Sequence, residues 1–131
     1  MEASKLTYVV ENDRITSIIT NMVVKKNLLG GAVQVFSNGQ LALDSLTAAL
    51  QTGQPIPDLI ILDLDMPVMD GWEFLDALAT MPQAAAAQVF VLTSSIDPAE
   101  RARAKTHPKI RGYFTKPLDN VNVARMQQLL N

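Results

Sequence analysis

The chain has 131 residues, of which 48 % are apolar and 18 % are charged, so its length and composition predict one globular domain with a real hydrophobic core. A net charge of −2 argues against a protein that binds nucleic acid, and the absence of cysteine excludes disulfide bonds and thiolate metal sites. The apolar runs are too short to cross a bilayer, and the first residues lack the apolar core of a signal peptide, so we expect a cytoplasmic protein without a membrane contact.

Five short apolar runs, rich in β-branched and aromatic residues, predict β-strands. In chain order they are Leu6–Val10, Ala32–Phe36, Leu59–Leu62, Val89–Leu92 and Ile110–Phe114. Longer stretches with helical spacing separate them, and this alternation predicts an α/β domain whose parallel sheet is covered by helices on both faces. No linker or repeat divides the sequence, so we expect a single domain over residues 1–131.

Apolar residues between the strands recur at intervals of three and four, which is typical of one face of a helix. The first helical stretch has the clearest set, and a weaker set predicts the last helix: Ile15, Ile18, Ile19, Met22 and Val23, then Leu118, Val121, Met126 and Leu129. Asp70 and Asp97 each precede a glutamate at the third helical position, Glu73 and Glu100, as in a capping box. We expect both aspartates to cap helices, and Pro82 to stop the third helix.

Polar residues follow four of the predicted strands directly. They are Glu11, Asn12 and Asp13, then Asp63 and Asp65, then Thr93, and finally Lys116. Strand ends of a parallel sheet meet at one edge, where ligands bind. Clustered carboxylates repel one another, and Mg²⁺, which prefers oxygen ligands, would relieve that repulsion. A carboxylate nucleophile surrounded by a metal ion, a lysine and a hydroxyl is what phosphoryl transfer requires.

The segment from Pro57 to Leu75, PDLIILDLDMPVMDGWEFL, resembles the signature of response-regulator receiver domains. Thr93 after the fourth strand and Lys116-Pro117 after the fifth, with Tyr113 three residues before the lysine, extend the resemblance from about Leu6 to the C-terminus. The resemblance implies a flavodoxin-like, doubly wound five-stranded sheet of order 2-1-3-4-5. We expect a receiver domain without an output domain of its own.

The resemblance further implies a role for each matching residue. Asp63 matches the phosphoacceptor, Thr93 the hydroxyl residue that follows the phosphoryl group, and Lys116 the cation that pairs with the phosphoaspartate. Tyr113 matches the aromatic residue that moves inward on activation. Mg²⁺ would be held by four residues: Glu11, Asn12, Asp63 and Asp65. The implied partners are a histidine kinase or histidine phosphotransfer protein as donor and a separate downstream protein. The chain would be no enzyme beyond its own phosphorylation and dephosphorylation.

Asn12 departs from the pattern, because receiver domains normally carry an acid at that position. An amide oxygen can bind a hard cation but supplies no charge, so we expect Mg²⁺ to bind about one to two orders of magnitude more weakly. Asp13 could compensate, although we expect it to cap the first helix.

Other functions stay open from the sequence. Asn12 favours a pseudo-receiver, a protein-interaction module that works without phosphorylation, whereas the retention of Asp63, Thr93 and Lys116 opposes it. The Asp63-x-Asp65 spacing is shared with haloacid-dehalogenase phosphatases, but those carry it on their first strand and in a longer chain. A flavin site is disfavoured because the acids after the first strand would repel a phosphate. His107, the sole histidine, is expected at the surface.

Overall fold

Five parallel strands form one sheet in the order β2-β1-β3-β4-β5 in the computed structural model, which describes residues 4–27 and 30–130. This order and the predicted doubly wound architecture are confirmed. The strands are β1 Ser4–Val10, β2 Gly30–Phe36, β3 Leu59–Leu62, β4 Gln88–Thr93 and β5 Ile110–Thr115. The helices are α1 Arg14–Lys26, α2 Gly39–Thr52, α3 Gly71–Ala79, α4 Pro98–Thr106 and α5 Asn120–Leu129, and a short 3-10 turn spans Pro82–Ala84.

The central strand β3 is buried along its whole length and supplies side chains to both faces of the sheet. Ile60 and Leu62 belong to an apolar cluster that α2 and α3 cover. Leu59 and Ile61 belong to a second cluster, which includes Val24 from α1 and Met126 from α5. An unbroken apolar strand is thus stable here because both of its faces are covered.

Aspartate or asparagine side chains cap every helix from α1 to α5. Each accepts a hydrogen bond from a backbone amide in the first turn; the caps are Asp13, Asn38, Asp70, Asp97 and Asp119. The predicted caps are therefore confirmed, and Asp70 forms a complete capping box with Glu73. Helix α3 ends at Ala79, shortly before Pro82, as predicted.

Four of the five side chains in the predicted apolar stripe of α1 do not face the sheet, and only Val23 packs partly against the core. Ile15 is 69 % exposed and Met22 65 %, and the side chains between them, Ile18 and Ile19, are 48 % and 41 % exposed. The inward positions of α1 are instead Ser17, Thr20 and Val24. The spacing predicted the helix correctly, but an apolar stripe does not tell which neighbour covers it.

Helix α5 shows a smaller difference of the same kind. Val121 from the predicted apolar set is 77 % exposed, and Val123 is buried in its place beside Met126. None of the helices in the described ranges has the length and apolar character needed to cross a bilayer.

Candidate functional site

The carboxyl ends of β1, β3, β4 and β5 meet at one edge of the sheet, and backbone pairing brings the predicted site residues to that edge. The amide of Asp63 donates to the carbonyl oxygen of Val10 over 2.9 Å, so Asp63 lies beside the end of the strand that leads into Glu11. The amide of Lys116 donates to the carbonyl oxygen of Thr93 over 2.8 Å. These two hydrogen bonds hold the main chain of Asp63 beside the end of β1 and the main chain of Lys116 beside Thr93.

Glu11, Asp63 and Lys116 form a buried, ion-paired cluster at this edge. Nζ of Lys116 lies 2.7 Å from Oε1 of Glu11 and 3.3 Å from Oδ2 of Asp63. The side chains of Glu11 and Asp63 are only 4 % and 7 % exposed. A single ammonium group thus serves two carboxylates, and the ionised cluster carries one negative charge in excess.

The pKa values of Glu11 and Lys116 reflect this arrangement. Burial raises the pKa of Glu11 and the charge of Asp63 adds to the rise, while hydrogen bonds from Lys116 and the Asp13 amide oppose it. Burial acts to lower the pKa of Lys116, but the hydrogen bonds and charges of Glu11 and Asp63 outweigh it, so the pKa stays above its ordinary value. Lys116 therefore remains charged at physiological pH, and the excess negative charge favours a second cation.

The loop after β3 approaches α3 so closely that only glycine fits at position 71. A Cβ on Gly71 would lie 2.6 Å from the carbonyl oxygen of Asp63, well inside van der Waals contact. In the same loop Val68 has a φ of 68°, in a turn closed by a 2.7 Å hydrogen bond from the Met69 amide to the Pro67 carbonyl oxygen. Such a conformation is strained for a β-branched residue, so the backbone that carries Asp63 is tightly constrained.

The predicted metal ligands are not gathered as a cluster of acids. Asn12 and Asp65 are exposed, whereas Glu11 is buried and turns one carboxylate oxygen to Lys116 and the other to the Asp13 amide, 3.0 Å away. No group of three His, Cys, Asp or Glu side chains is placed to hold a metal ion within residues 4–27 and 30–130. Carboxylate side chains alone are therefore not clustered at the predicted metal position within the described residues.

Thr93 is buried at the same edge, but its hydroxyl is bonded to α4. Its Oγ1 donates to Oε1 of Glu100 over 3.3 Å and accepts from the Ser95 amide over 3.1 Å. The sequence pattern predicted that Glu100 would complete a capping box with Asp97, and that prediction is wrong. The Asp97 amide donates instead to Oγ of Ser95, 3.1 Å away. Glu100 was missed as a site residue because a spacing of seven residues after Thr93 is no known motif.

Two arginines of α4 lie against aromatic rings. The guanidinium group of Arg101 is 5.4 Å from the Tyr113 ring centroid, and that of Arg103 is 4.0 Å from the Trp72 ring centroid. The Tyr113 hydroxyl is buried and makes no hydrogen bond within the part of the chain that the structure describes. Burial raises the pKa of Tyr113, and the nearby charge of Glu100 adds to this rise against an opposing effect of Arg101.

His107 is less accessible than predicted. Its side chain is only 14 % exposed, and Nε2 lies 3.3 Å from Oδ1 of Asp76. Its ring centroid is 6.4 Å from that of Trp72. The residue therefore joins α3 to the end of α4.

Comparison with known proteins agrees with this arrangement. The family model described as the response regulator receiver domain matches residues 7–128. The probable methanogenesis regulatory protein FilR2 of Methanothrix harundinacea is 30 % identical over 95 residues, which cover 72 % of this chain and 61 % of FilR2. A protein-glutamate methylesterase/protein-glutamine glutaminase of Desulfotalea psychrophila is 31 % identical over 99 residues, which cover 76 % of this chain and 25 % of that protein. The match thus spans less than two thirds of either relative, 61 % of FilR2 and 25 % of the methylesterase.

Solved structures share the fold over nearly the whole chain. A two-component response regulator from Cytophaga hutchinsonii has a TM-score of 0.87 at 22 % identity, covering 97 % of this chain and 96 % of its own. The Mn²⁺-bound form of the response regulator Rcp1 has a TM-score of 0.73 at 25 % identity, covering 95 % and 89 %. The sheet order, the matched residues and these likenesses agree, and the chain belongs to the response-regulator receiver domain family.

Proposed function

We propose that this receiver domain takes a phosphoryl group from a phosphohistidine onto Asp63 and signals by a change of conformation. The observation that supports this most strongly is the shared ammonium group. Lys116 lies 3.3 Å from Oδ2 of a buried aspartate that ends the central strand. A lysine in this position can balance the negative charge of an incoming phosphoryl group, which is the main task of a protein in phosphoryl transfer.

The reaction needs little covalent chemistry from the chain. A carboxylate oxygen of Asp63 attacks phosphorus, a P–O bond forms and the P–N bond to the donor histidine breaks. The electron pair of that bond goes to the imidazole nitrogen, which takes a proton from solvent. Asp63 provides the nucleophile, and Lys116 stays protonated beside the equatorial oxygens as they gain charge. Glu11 holds Lys116 in place through the 2.7 Å ion pair.

The residues present fit a hard divalent cation such as Mg²⁺. The candidate ligands offer only oxygen donors, and the cluster of Glu11, Asp63 and Lys116 carries a net charge of −1 when ionised. The ion would be held by Asp63, the Asn12 amide oxygen and the Asp65 backbone carbonyl, with Glu11 as the second acid. When bound it supplies further neutralisation of the phosphoryl oxygens. Because Asn12 adds no charge, we propose a lower affinity for Mg²⁺ than an acid would give.

The exposed face of α1 supports docking of a histidine kinase or histidine phosphotransfer protein. Its exposed apolar side chains are Ile15, Ile18, Ile19 and Met22. The charged residues within α1 are all basic, namely Arg14, Lys25 and Lys26. A shallow cavity of about 460 Å³ lies beside the start of α1, with Glu11, Asn12, Arg14 and Ser17 in its lining. The face fits a donor helix that carries an apolar stripe with acidic flanks.

A phosphorylation-independent interaction module is the second candidate. Two observations favour it: Asn12 stands where an acid is expected, and three acids are not gathered around a metal position in the described residues. The buried ion-paired cluster opposes it, because burying two carboxylates and a lysine is costly without a function.

Intact-mass measurement with a small acyl-phosphate donor distinguishes the two candidates. We expect Mg²⁺-dependent formation of a single, labile phosphoryl adduct on the wild-type chain. Asp63→Asn should abolish it, and Asp44→Asn, which removes an exposed acid of α2, should retain it. A wild-type chain that stays unmodified at saturating Mg²⁺ would establish the interaction module instead.

A further inference from the structure

The hydroxyl of Thr93 has a single proton, and in this structure it donates that proton in a hydrogen bond to Glu100. Oγ1 of Thr93 donates to Oε1 of Glu100 over 3.3 Å. The lone pairs of the same oxygen are also engaged, because the Ser95 amide donates to it over 3.1 Å. A threonine hydroxyl can donate one hydrogen bond only. It can therefore donate a hydrogen bond to Glu100 or to a phosphoryl oxygen on Asp63, but not to both.

We propose that Glu100 is a positioning residue that holds Thr93 against α4 and competes with the phosphoryl group for the Thr93 hydroxyl. This inference rests on the proposed phosphorylation of Asp63 and adds its regulation. Phosphorylation breaks the Thr93–Glu100 bond, and loss of the bond releases the first turn of α4. By reciprocity, removal of Glu100 favours the phosphorylated state.

Helix α4 is suited to such a release because little apolar surface anchors it. Ala104 is its sole buried residue. Two of its arginines contact aromatic rings at its surface, Arg101 against the Tyr113 ring and Arg103 against the Trp72 ring. An element with few buried apolar contacts opens at low free-energy cost, so one hydrogen bond is a large share of its attachment.

Charge repulsion on phosphorylation adds to the effect of losing the Thr93–Glu100 hydrogen bond, because both favour release of α4. Glu100, Asp65, Asp70 and Asp97 line one cleft of about 680 Å³ beside Thr93, and Arg103 is the one cation in that lining. An acyl phosphate on Asp63 carries about two negative charges where the free carboxylate carries one, so phosphorylation adds about one negative charge to this edge. Once Thr93 turns to the phosphoryl group, Glu100 loses its partner and is repelled, which drives the first turn of α4 outward.

A purely structural role for Glu100 does not explain its position. Acidic residues at the third helical position commonly bond back to the capping residue, as Glu73 does to the Asp70 amide in α3. In α4 that place is taken by Ser95, whose Oγ accepts from the Asp97 amide. The Glu100 carboxylate therefore makes no capping hydrogen bond to Asp97, whereas Glu73 at the same helical position of α3 makes one to Asp70.

Hydrogen exchange of the α4 backbone, read by mass spectrometry on the full chain, tests the proposal without requiring phosphorylation. We expect Glu100→Ala and Thr93→Val each to raise exchange within Pro98–Thr106 by about threefold to tenfold, which matches the loss of one hydrogen bond. The double variant should exchange no faster than either single variant, because both remove the same bond. Additive effects, or unchanged exchange in Thr93→Val, would overturn the proposal.

The second arm uses the small acyl-phosphate donor with Mg²⁺. We expect the wild-type chain to reach the exchange of unmodified Glu100→Ala once it is phosphorylated, and Glu100→Ala to show a phosphorylated fraction raised by about threefold or more. Glu100→Gln, which keeps the acceptor oxygen, should fall between wild type and Glu100→Ala. Glu73→Ala is the matched control and should change neither quantity at this site. A wild-type chain without an adduct defeats the proposed function, whereas the exchange of the unmodified variants still decides the role of Glu100.

Discussion

Lys116 lies closer to Glu11 than to Asp63: its Nζ is 2.7 Å from Oε1 of Glu11 and 3.3 Å from Oδ2 of Asp63. The lysine is therefore anchored by one acid and shared with the other. Glu11, in turn, accepts the Asp13 amide at its second oxygen, so the anchor is tied to the start of α1. The closest ion pair of the site thus positions Lys116 and leaves Asp63 less firmly held.

Removal of the lysine should expose the repulsion that it balances. We expect Lys116→Met to lower the free energy of unfolding by about 2–3 kcal/mol, near the low end for a broken buried pair, because Glu11 can take up a proton. Added Mg²⁺ should restore part of the loss by replacing the missing cation. Urea unfolding with and without Mg²⁺ measures both effects. Lys26→Met, which removes an exposed lysine of α1, is the control, and an equal Mg²⁺ response in both variants would contradict the account.

Asn12→Asp should strengthen Mg²⁺ binding. A carboxylate at this edge adds a charged oxygen donor, and we expect the Mg²⁺ concentration for half-maximal adduct formation to fall about tenfold or more. Intact-mass titration against Mg²⁺ measures it. Gln83→Glu adds the same charge at an exposed position on the 3-10 turn and should leave the titration unchanged. An unchanged midpoint in Asn12→Asp would show that Asn12 is not a ligand.

Gly71→Ala should damage the site through the backbone. Its Cβ would lie 2.6 Å from the Asp63 carbonyl oxygen, so the loop must shift. We expect a loss of about 1–3 kcal/mol in unfolding free energy, together with slower adduct formation. Gly53→Ala is the comparison: Gly53 has a φ of 71° and no atom within 4 Å of an added Cβ, so it should cost about 1 kcal/mol and leave phosphorylation intact. Equal phosphorylation rates in the two variants would refute the role of the close approach.

Two substitutions test which face of α1 packs against the sheet. Ile18→Ser should change the unfolding free energy by no more than about 0.5 kcal/mol, because Ile18 is 48 % exposed. Val24→Ala should cost about 2 kcal/mol, since Val24 is fully buried. Denaturant unfolding of the two variants decides the point. A large loss in Ile18→Ser would mean that the apolar stripe faces the sheet after all.

Sequence patterns predicted the elements of this fold because both the apolar runs and the helix-capping residues were clear. The apolar run Leu59–Leu62 is typical of a central strand and is buried as one, and Asp70 with Glu73 forms the predicted capping box. The position of Asp63 and Lys116 at one edge followed from parallel topology, since strand ends must meet there. These conclusions depend on local spacing and on connectivity, both of which the sequence contains.

Side-chain partners were harder to predict, because they depend on distances between elements. The spacing of Glu100 after Asp97 was typical of a capping box, yet Glu100 accepts from Thr93, and the Asp97 amide donates to Ser95 instead. His107 had no partner in sequence, and Asp76, distant along the chain, provides one. In α1 the helical period was right, but the pattern did not tell which way the stripe faces, because a half-apolar helix can turn its stripe to solvent or to a partner protein.

The central claim is that Asp63 itself carries the phosphoryl group. Borohydride reduction of the acyl phosphate converts the modified aspartate to homoserine, and peptide mass mapping then locates it. The account predicts homoserine at position 63 alone, formed only when Mg²⁺ and the phosphoryl donor are both present. Homoserine at Asp65 or Asp13, or an unreduced chain under conditions that phosphorylate another receiver domain, would contradict it.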